Sequence, residues 1–170
     1  GKDMPGSGWI WFSREQKGGV AFSDEGRNGS RCALLTHEGE RDYAFTNAGR
    51  LNVEPGQTWV ASAWMKCENT DSADLDIVAL SGGRLVSWNI GSDGVYGTTD
   101  WKKVQAEAYI PQGVDQIHLR VVGSGNAKVW IDDVALEAST TPQRVRLKGP
   151  VNGWAQERVE EKISRGLVAL

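Results

Sequence analysis

The chain has no apolar run near the roughly 18–20 residues that carry a helix across a bilayer, and it has little cysteine, histidine or methionine. It also lacks an excess of positive charge. With 19 basic against 22 acidic side chains and a net charge of −3, there is no basic footprint of the kind that nucleic acid or an anionic membrane surface requires. Neither partner is expected. Two cysteines, Cys32 and Cys67, are too few for a disulfide framework. One bridge between them would suit a secreted protein, and the sequence leaves their pairing open. No Cys-x-x-Cys pair is present, and His37 and His118 have no ligand-like spacing, which excludes an ordinary zinc site. A Gly-x-Ser-x-Gly elbow, a phosphate loop and a metal-hydrolase signature are all missing. So is a signal peptide, and the opening Gly1-Lys2-Asp3-Met4-Pro5-Gly6-Ser7-Gly8 reads as an excised end.

Glycine and tryptophan are plentiful. The 21 glycines imply many tight turns and short strands. The 8 tryptophans outnumber the 3 tyrosines and 3 phenylalanines, which is expected either of a sandwich core or of a surface where flat rings meet sugar rings. From residue 8 to 139, stretches of alternating polarity are separated by turn signals such as Lys17-Gly18-Gly19, Glu54-Pro55-Gly56, Gly82-Gly83 and Gly123-Ser124-Gly125. The pattern predicts strands near 9–14, 19–23, 30–37, 41–47, 57–67, 75–80, 84–90, 101–110, 116–122 and 127–137, with no helix between them. Many short strands without helices imply an all-β, antiparallel two-sheet sandwich over residues 1–139.

The character changes near residue 140. Ser139-Thr140-Thr141-Pro142-Gln143 reads as a linker. Ala155, Val159 and Ile163 recur every four residues between Trp154 and Gly166, predicting a short helix, and Leu167 to Leu170 reads as the start of a strand. Residues 140–170 are expected to be a linker and the first elements of a following catalytic domain, or else a helix packed on the sandwich.

Side-chain alternation sorts the strands into faces. Trp59, Ala61, Ala63 and Met65 read as core, with Val60, Ser62, Trp64 and Lys66 outside. Val104, Ala106, Ala108 and Ile110 face in, leaving Gln105, Glu107 and Tyr109 out. Ile117, Leu119 and Val121 face in, leaving His118, Arg120 and Val122 out. If these strands share a sheet, Trp64, Lys66, Gln105, Glu107, Tyr109, His118 and Arg120 gather on one surface, joined by Trp88 from a neighbouring segment. Aromatic planes beside hydrogen-bonding groups suit a carbohydrate, and Lys66 with Arg120 would suit the uronate or sulfate groups of an acidic one. An ordinary solvated outer face carrying one amphipathic tryptophan is the alternative.

The segment Gly125-Asn126-Ala127-Lys128-Val129-Trp130-Ile131-Asp132-Asp133-Val134-Ala135-Leu136 resembles the last strand of the jelly-roll carbohydrate-binding modules, the group with families four, nine, sixteen and twenty-two. Three further pieces match in the same order. They are Asn28-Gly29-Ser30-Arg31, the strand from Gly56-Gln57-Thr58-Trp59 to Lys66, and the segment from Asp100-Trp101-Lys102-Lys103-Val104 to Ile110-Pro111. The resemblance implies a jelly roll that binds polysaccharide without catalysing anything, as a monomeric, extracellular accessory domain of a glycoside hydrolase or polysaccharide lyase. It also implies a structural calcium near the last strand, with Asp132 as a ligand and Asp24, Glu25 and Asn28 of the early loop as partners; calcium takes six to eight oxygens. The ligand site would lie in the concave sheet, around Trp64, Tyr109, Arg120 and Glu107, or at the loops, around Trp9, Trp11 or Trp88. Trp101 and Trp130 match structural positions. Two other readings stand beside this one. One is a spacer that only packs against a neighbouring catalytic domain. The other is an enzyme fragment, for which Glu107 and Asp76 are the carboxylates at hand.

Overall fold

The computed structural model describes residues 8–139. The expected linker, the helix over 154–166 and the strand after it lie outside the described residues. Apart from Ser139, the described residues belong to one compact unit, Gly1–Ala138.

The described residues form eight strands: β1 (Trp9–Ser13), β2 (Gly19–Ser23), β3 (Cys32–Asn47), β4 (Leu51–Asn52), β5 (Thr58–Ser81), β6 (Arg84–Ser87), β7 (Ser92–Tyr109) and β8 (Gln116–Ala138). All pairings are antiparallel. The one helical turn among the described residues is a 3-10 turn at Arg27–Gly29.

The strands β3, β5, β7 and β8 run for 16, 24, 18 and 23 residues, several times the usual strand length. Each serves two layers. Residues 32–38 of β3 pair with β2 and with 126–131 of β8, whereas 42–46 pair with β1 and with 120–124 of β8. Residues 59–67 of β5 pair with 129–138 of β8 and 99–108 of β7, whereas 74–80 pair with 116–122 of β8 and, through 74–76, with 92–94 of β7. The first layer is therefore β2 with the early part of β3, the late part of β8, the early part of β5 and the late part of β7. The second is β1 with the late part of β3, the early part of β8, the late part of β5, the early part of β7, and the short β4 and β6.

The crossings have local causes. The β3/β8 register shifts between Glu38 and Asp42, and the β5/β7 register shifts repeatedly between Met65 and Ala73; irregular pairing of this kind bends strands. The Glu15 carboxylate accepts the backbone N–H groups of Glu40 and Arg41 at 2.8 and 2.9 Å, satisfying donors at the point where β3 turns. In β8 the bend falls on Gly123-Ser124-Gly125. A Cβ on Gly123 would collide with the Ser72 carbonyl, and one on Gly125, at φ +77, with the Asp71 carboxylate. The latter accepts the Asn126 N–H at 2.7 Å.

The layers enclose one core. Ala61, Ala63, Met65, Val104, Ala106 and Ala108 of the first layer meet Tyr43, Phe45, Leu75, Ile77, Ile117, Leu119 and Val121 of the second. The expected inward parities hold in all three strands. Small residues on β5 and β7 let the layers approach, and the larger rings of β1 and β3 fill the opposite side. The result is the expected antiparallel β-sandwich.

The structure departs from the sequence reading in connectivity. Segments 30–37 and 41–47, 57–67 and 75–80, and 116–122 and 127–137 are halves of continuous strands. Residues 92–100, expected only as a turn, are strand, and β6 stops at Ser87 rather than residue 90. Cys32 and Cys67 are buried free thiols.

Candidate functional site

The two layers separate the residues expected on one surface. Trp64, Lys66, Gln105, Glu107 and Tyr109 lie on the outer face of the first layer, because 101–109 pairs with 58–65. His118 and Arg120 lie on the outer face of the second, opposite Val78 and Asp76. The late part of β8 intervenes beside β5 in the first layer, which the alternation pattern could not show.

On the first layer, cations cover the rings. The Arg27 guanidinium sits 3.6 Å from the Trp64 ring centroid. Lys66 and Lys128 lie 4.7 and 5.0 Å from that of Trp130, which is 3% exposed. Arg31 covers Phe22 at 4.5 Å. Trp64 is half-buried beneath Arg27, whereas Trp88, which also has a guanidinium against its ring, is exposed. Tyr109 is exposed beside Glu107 and Gln105.

The second layer carries a groove of about 660 Å³. Ile10 and Phe12 of β1 form one wall, Ala44 and Val122 contribute to its lining, and Trp88, just after β6, stands on the other side. Ile10, Phe12 and Trp88 are 47%, 48% and 58% exposed. Trp9-Ile10-Trp11-Phe12 is apolar at both parities because one face enters the core, through the buried Trp11, and the other lines the groove. That double parity is the sequence signal that marks Ile10 and Phe12, which the sequence reading did not select.

The groove's polar groups are held in place. Arg120 donates to Asp76 Oδ2 at 3.0 Å, and its guanidinium lies 4.8 Å from the Trp88 centroid. Asp76, with its side chain 4% exposed, also accepts from the Ser92 hydroxyl at 2.6 Å and from Asn89 Nδ2 at 3.3 Å. Arg120 Nε is buried without a hydrogen-bond partner among the described residues. Arg14 is ion-paired with Asp42 in a two-pronged contact. Both cations are therefore neutralised where they stand. His118 Nδ1 lies 3.1 Å from the Asn47 carbonyl, so Nδ1–H donates and Nε2 is left as an acceptor. Burial lowers the His118 pKa, and Arg50 and Arg120 lower it further, against the raising effect of the Asn47 bond.

The four residues expected to hold calcium do not converge as a coordination shell. Asp132 Oδ2 accepts the Arg27 N–H at 2.9 Å and the Ser30 hydroxyl at 2.6 Å, and Oδ1 accepts the Asp133 N–H at 2.9 Å. Asp24, its side chain 93% exposed, faces Arg31 at 3.6 Å, and Glu25 and Asn28 are exposed. No group of three histidine, cysteine or acidic side chains among the described residues could hold a metal ion. Asp132 does join the early loop to the last strand, through donors of the chain.

This architecture has solved counterparts. A family-16 carbohydrate-binding module superposes with a TM-score of 0.55 at 16% identity, covering 77% of this chain and 91% of that one. A family-4 module gives 0.53 at 18% identity, covering 77% and 86%. The fold is that of the β-sandwich carbohydrate-binding modules. The same sandwich occurs in the enzymatically active domain of tailspike protein 4 of bacteriophage CBA120, with a TM-score of 0.65 at 17% identity and 78% of this chain covered, though the chain spans only 20% of that protein. No protein-family model matches the sequence, and no curated protein matches it. In module terms, the groove belongs to the layer made of β1 and the half-strands beside it.

Proposed function

We propose that the domain is a non-catalytic carbohydrate-binding module that holds a polysaccharide in the groove of the second layer. The observation that carries this reading is the groove itself. Three half-exposed apolar side chains, one of them an indole, line it beside polar groups that the chain itself anchors. A sugar ring offers a C–H face to the exposed Trp88 indole and hydroxyls to the exposed Arg14 and Asp42 of the groove's lining. This matches the general form of a small-molecule site, mostly apolar with a few placed polar groups. A solved xylanase fragment of Clostridium thermocellum, pairing a family-22 module with a catalytic module and complexed with xylohexaose, shares the fold at a TM-score of 0.57 and 17% identity, with 76% of this chain and 26% of that one covered. It supports, by analogy, attachment to a polysaccharide-degrading enzyme.

The bound chain is uncharged on this reading. Lys66 and Arg120 on one surface would also suit an acidic ligand. They lie on different layers, and the groove's Arg14 and Arg120 are each paired with an aspartate. Affinity electrophoresis through gels containing neutral and acidic polysaccharides tests the function. Retardation by at least one neutral polysaccharide is expected, lost in Trp88→Ala and unchanged between 50 and 500 mM salt. A folded protein that no polysaccharide retards would instead be a spacer, and retardation only by acidic polysaccharides, abolished by salt, would refute the neutral reading.

A further inference from the structure

A second cavity adjoins the groove. It has a volume of about 300 Å³ and opens between the two layers at their edge. Its apolar lining comes from both layers. Trp9 lies on the inward parity of β1 and stacks on Phe45 with centroids 4.8 Å apart. Leu136 pairs with the inward Ala61, and Val134 precedes it by two residues on the same side of β8. The opening exists because Asp133, at φ +50, interrupts the alternation of β8, and because the β3 register ends at Ala33, opposite Ile131. Beyond that point the free flank of β8 faces the connection from Asn47 to Leu51. Asn47, Arg50 and His118 give the rim its polar groups.

His118 lines both the cavity and the groove. Its Nδ1–H is committed to the Asn47 carbonyl, which fixes the imidazole where the two spaces meet and leaves Nε2 as the acceptor. A linear chain in the groove would leave the cavity empty. A volume near 300 Å³ is at the lower end of the range for small-molecule pockets, suited to one sugar ring rather than a run of them. A flat indole at one side and hydrogen-bonding groups at the mouth are what a single ring needs.

We propose that this edge cavity receives a one-residue side branch of the polysaccharide, so that the domain selects branched over linear chains of the same backbone. The proposal rests on the groove holding the backbone. The test uses three pairs of neutral polysaccharides, each a linear backbone and its singly branched form: mannan and galactomannan, xylan and arabinoxylan, and linear β-1,4-glucan oligosaccharides and xyloglucan oligosaccharides. Affinities are measured by calorimetry for the wild type, Trp88→Ala and Val134→Trp. In one pair the branched member is expected to bind at least about fivefold more tightly. Val134→Trp, which fills the cavity, should remove that advantage and leave the linear affinity unchanged, while Trp88→Ala should weaken both members. Leu51→Trp fills the same space from the exposed β4 and serves if Val134→Trp melts early. Linear chains that bind as well as branched ones in every pair, or a filled cavity that weakens both members equally, would overturn the branch site while leaving the groove intact. Failure of all six ligands to bind would overturn the groove and the branch site together.

Discussion

Arg120 and Asp76 are the residues on which the groove's chemistry turns. Asp76 is almost fully enclosed, and breaking a buried pair by removing one partner leaves an uncompensated charge that typically costs about 3–5 kcal/mol. Arg120 retains some solvent contact, with its side chain 15% exposed, so Arg120→Leu should cost about 3 kcal/mol in urea unfolding. Asp76→Asn/Arg120→Leu should recover a large part of that loss. A single variant as stable as the wild type would show that water already reaches Asp76. His118 supplies a pH effect. Its folded-state pKa lies below its unfolded value, so the unfolded chain takes up a proton first and stability falls as pH drops below about 6.5. The melting temperature should therefore decline less between pH 7 and 5 in His118→Gln than in the wild type; parallel curves would refute this. Burial raises the Asp74 pKa, with Asp76 and Asp93 adding to it, and this opposes the trend, but equally in both proteins. At this scale the sequence revealed which side chains point outward, but not which outward faces coincide. Trp64 looked like a platform because Ser62 and Lys66 flank it in sequence. Arg27, 37 positions earlier, is what covers it.

Among elements, the bends decide the architecture. Gly123 lies where β8 leaves one layer for the other, and the Ser72 carbonyl and the Tyr43 hydroxyl occupy the space a Cβ would need. The hydroxyl donates to that carbonyl at 2.6 Å, so neither neighbour yields freely. Gly123→Ala should lower stability by about 1–3 kcal/mol, seen as an earlier unfolding midpoint in urea. An unchanged midpoint would mean that the bend is softer than its contacts imply. The turn glycines and strand parities were legible in the sequence because both are local properties. Continuity across the bends was not. Glu38 to Arg41 and Gly123 to Gly125 have the composition of hairpin turns, and only the long-range acceptors Glu15, Asp71 and Ser72 make them bends within a strand.

For the whole molecule, the closure of the early loop on the last strand is the property to measure. Asp132 already accepts three donors of the chain, so neither a chelator nor added calcium should change the melting temperature by more than about 1 °C, roughly a quarter of a kcal/mol or less for a domain of this size. A rise of several degrees with calcium, reversed by a chelator, would show that the loop rearranges around the ion. The sandwich as a class was legible because evenly spaced short strands without helices leave few alternatives. The groove was only partly so. Trp88, His118 and Arg120 were among the residues selected, but their partners Ile10, Phe12 and Asp76 come from strands that only the layer order brings beside them.

The four long strands also govern how the domain must assemble. Each layer is made from halves of the same ribbons that make the other, so neither half of the core is complete without the other. A polypeptide cut between Glu68 and Ser72 divides both layers between its two fragments, and fragments divided there should show no separate melting transition before they are mixed. Productive folding has to wait for distant segments to meet, which places the domain among slow folders of high contact order.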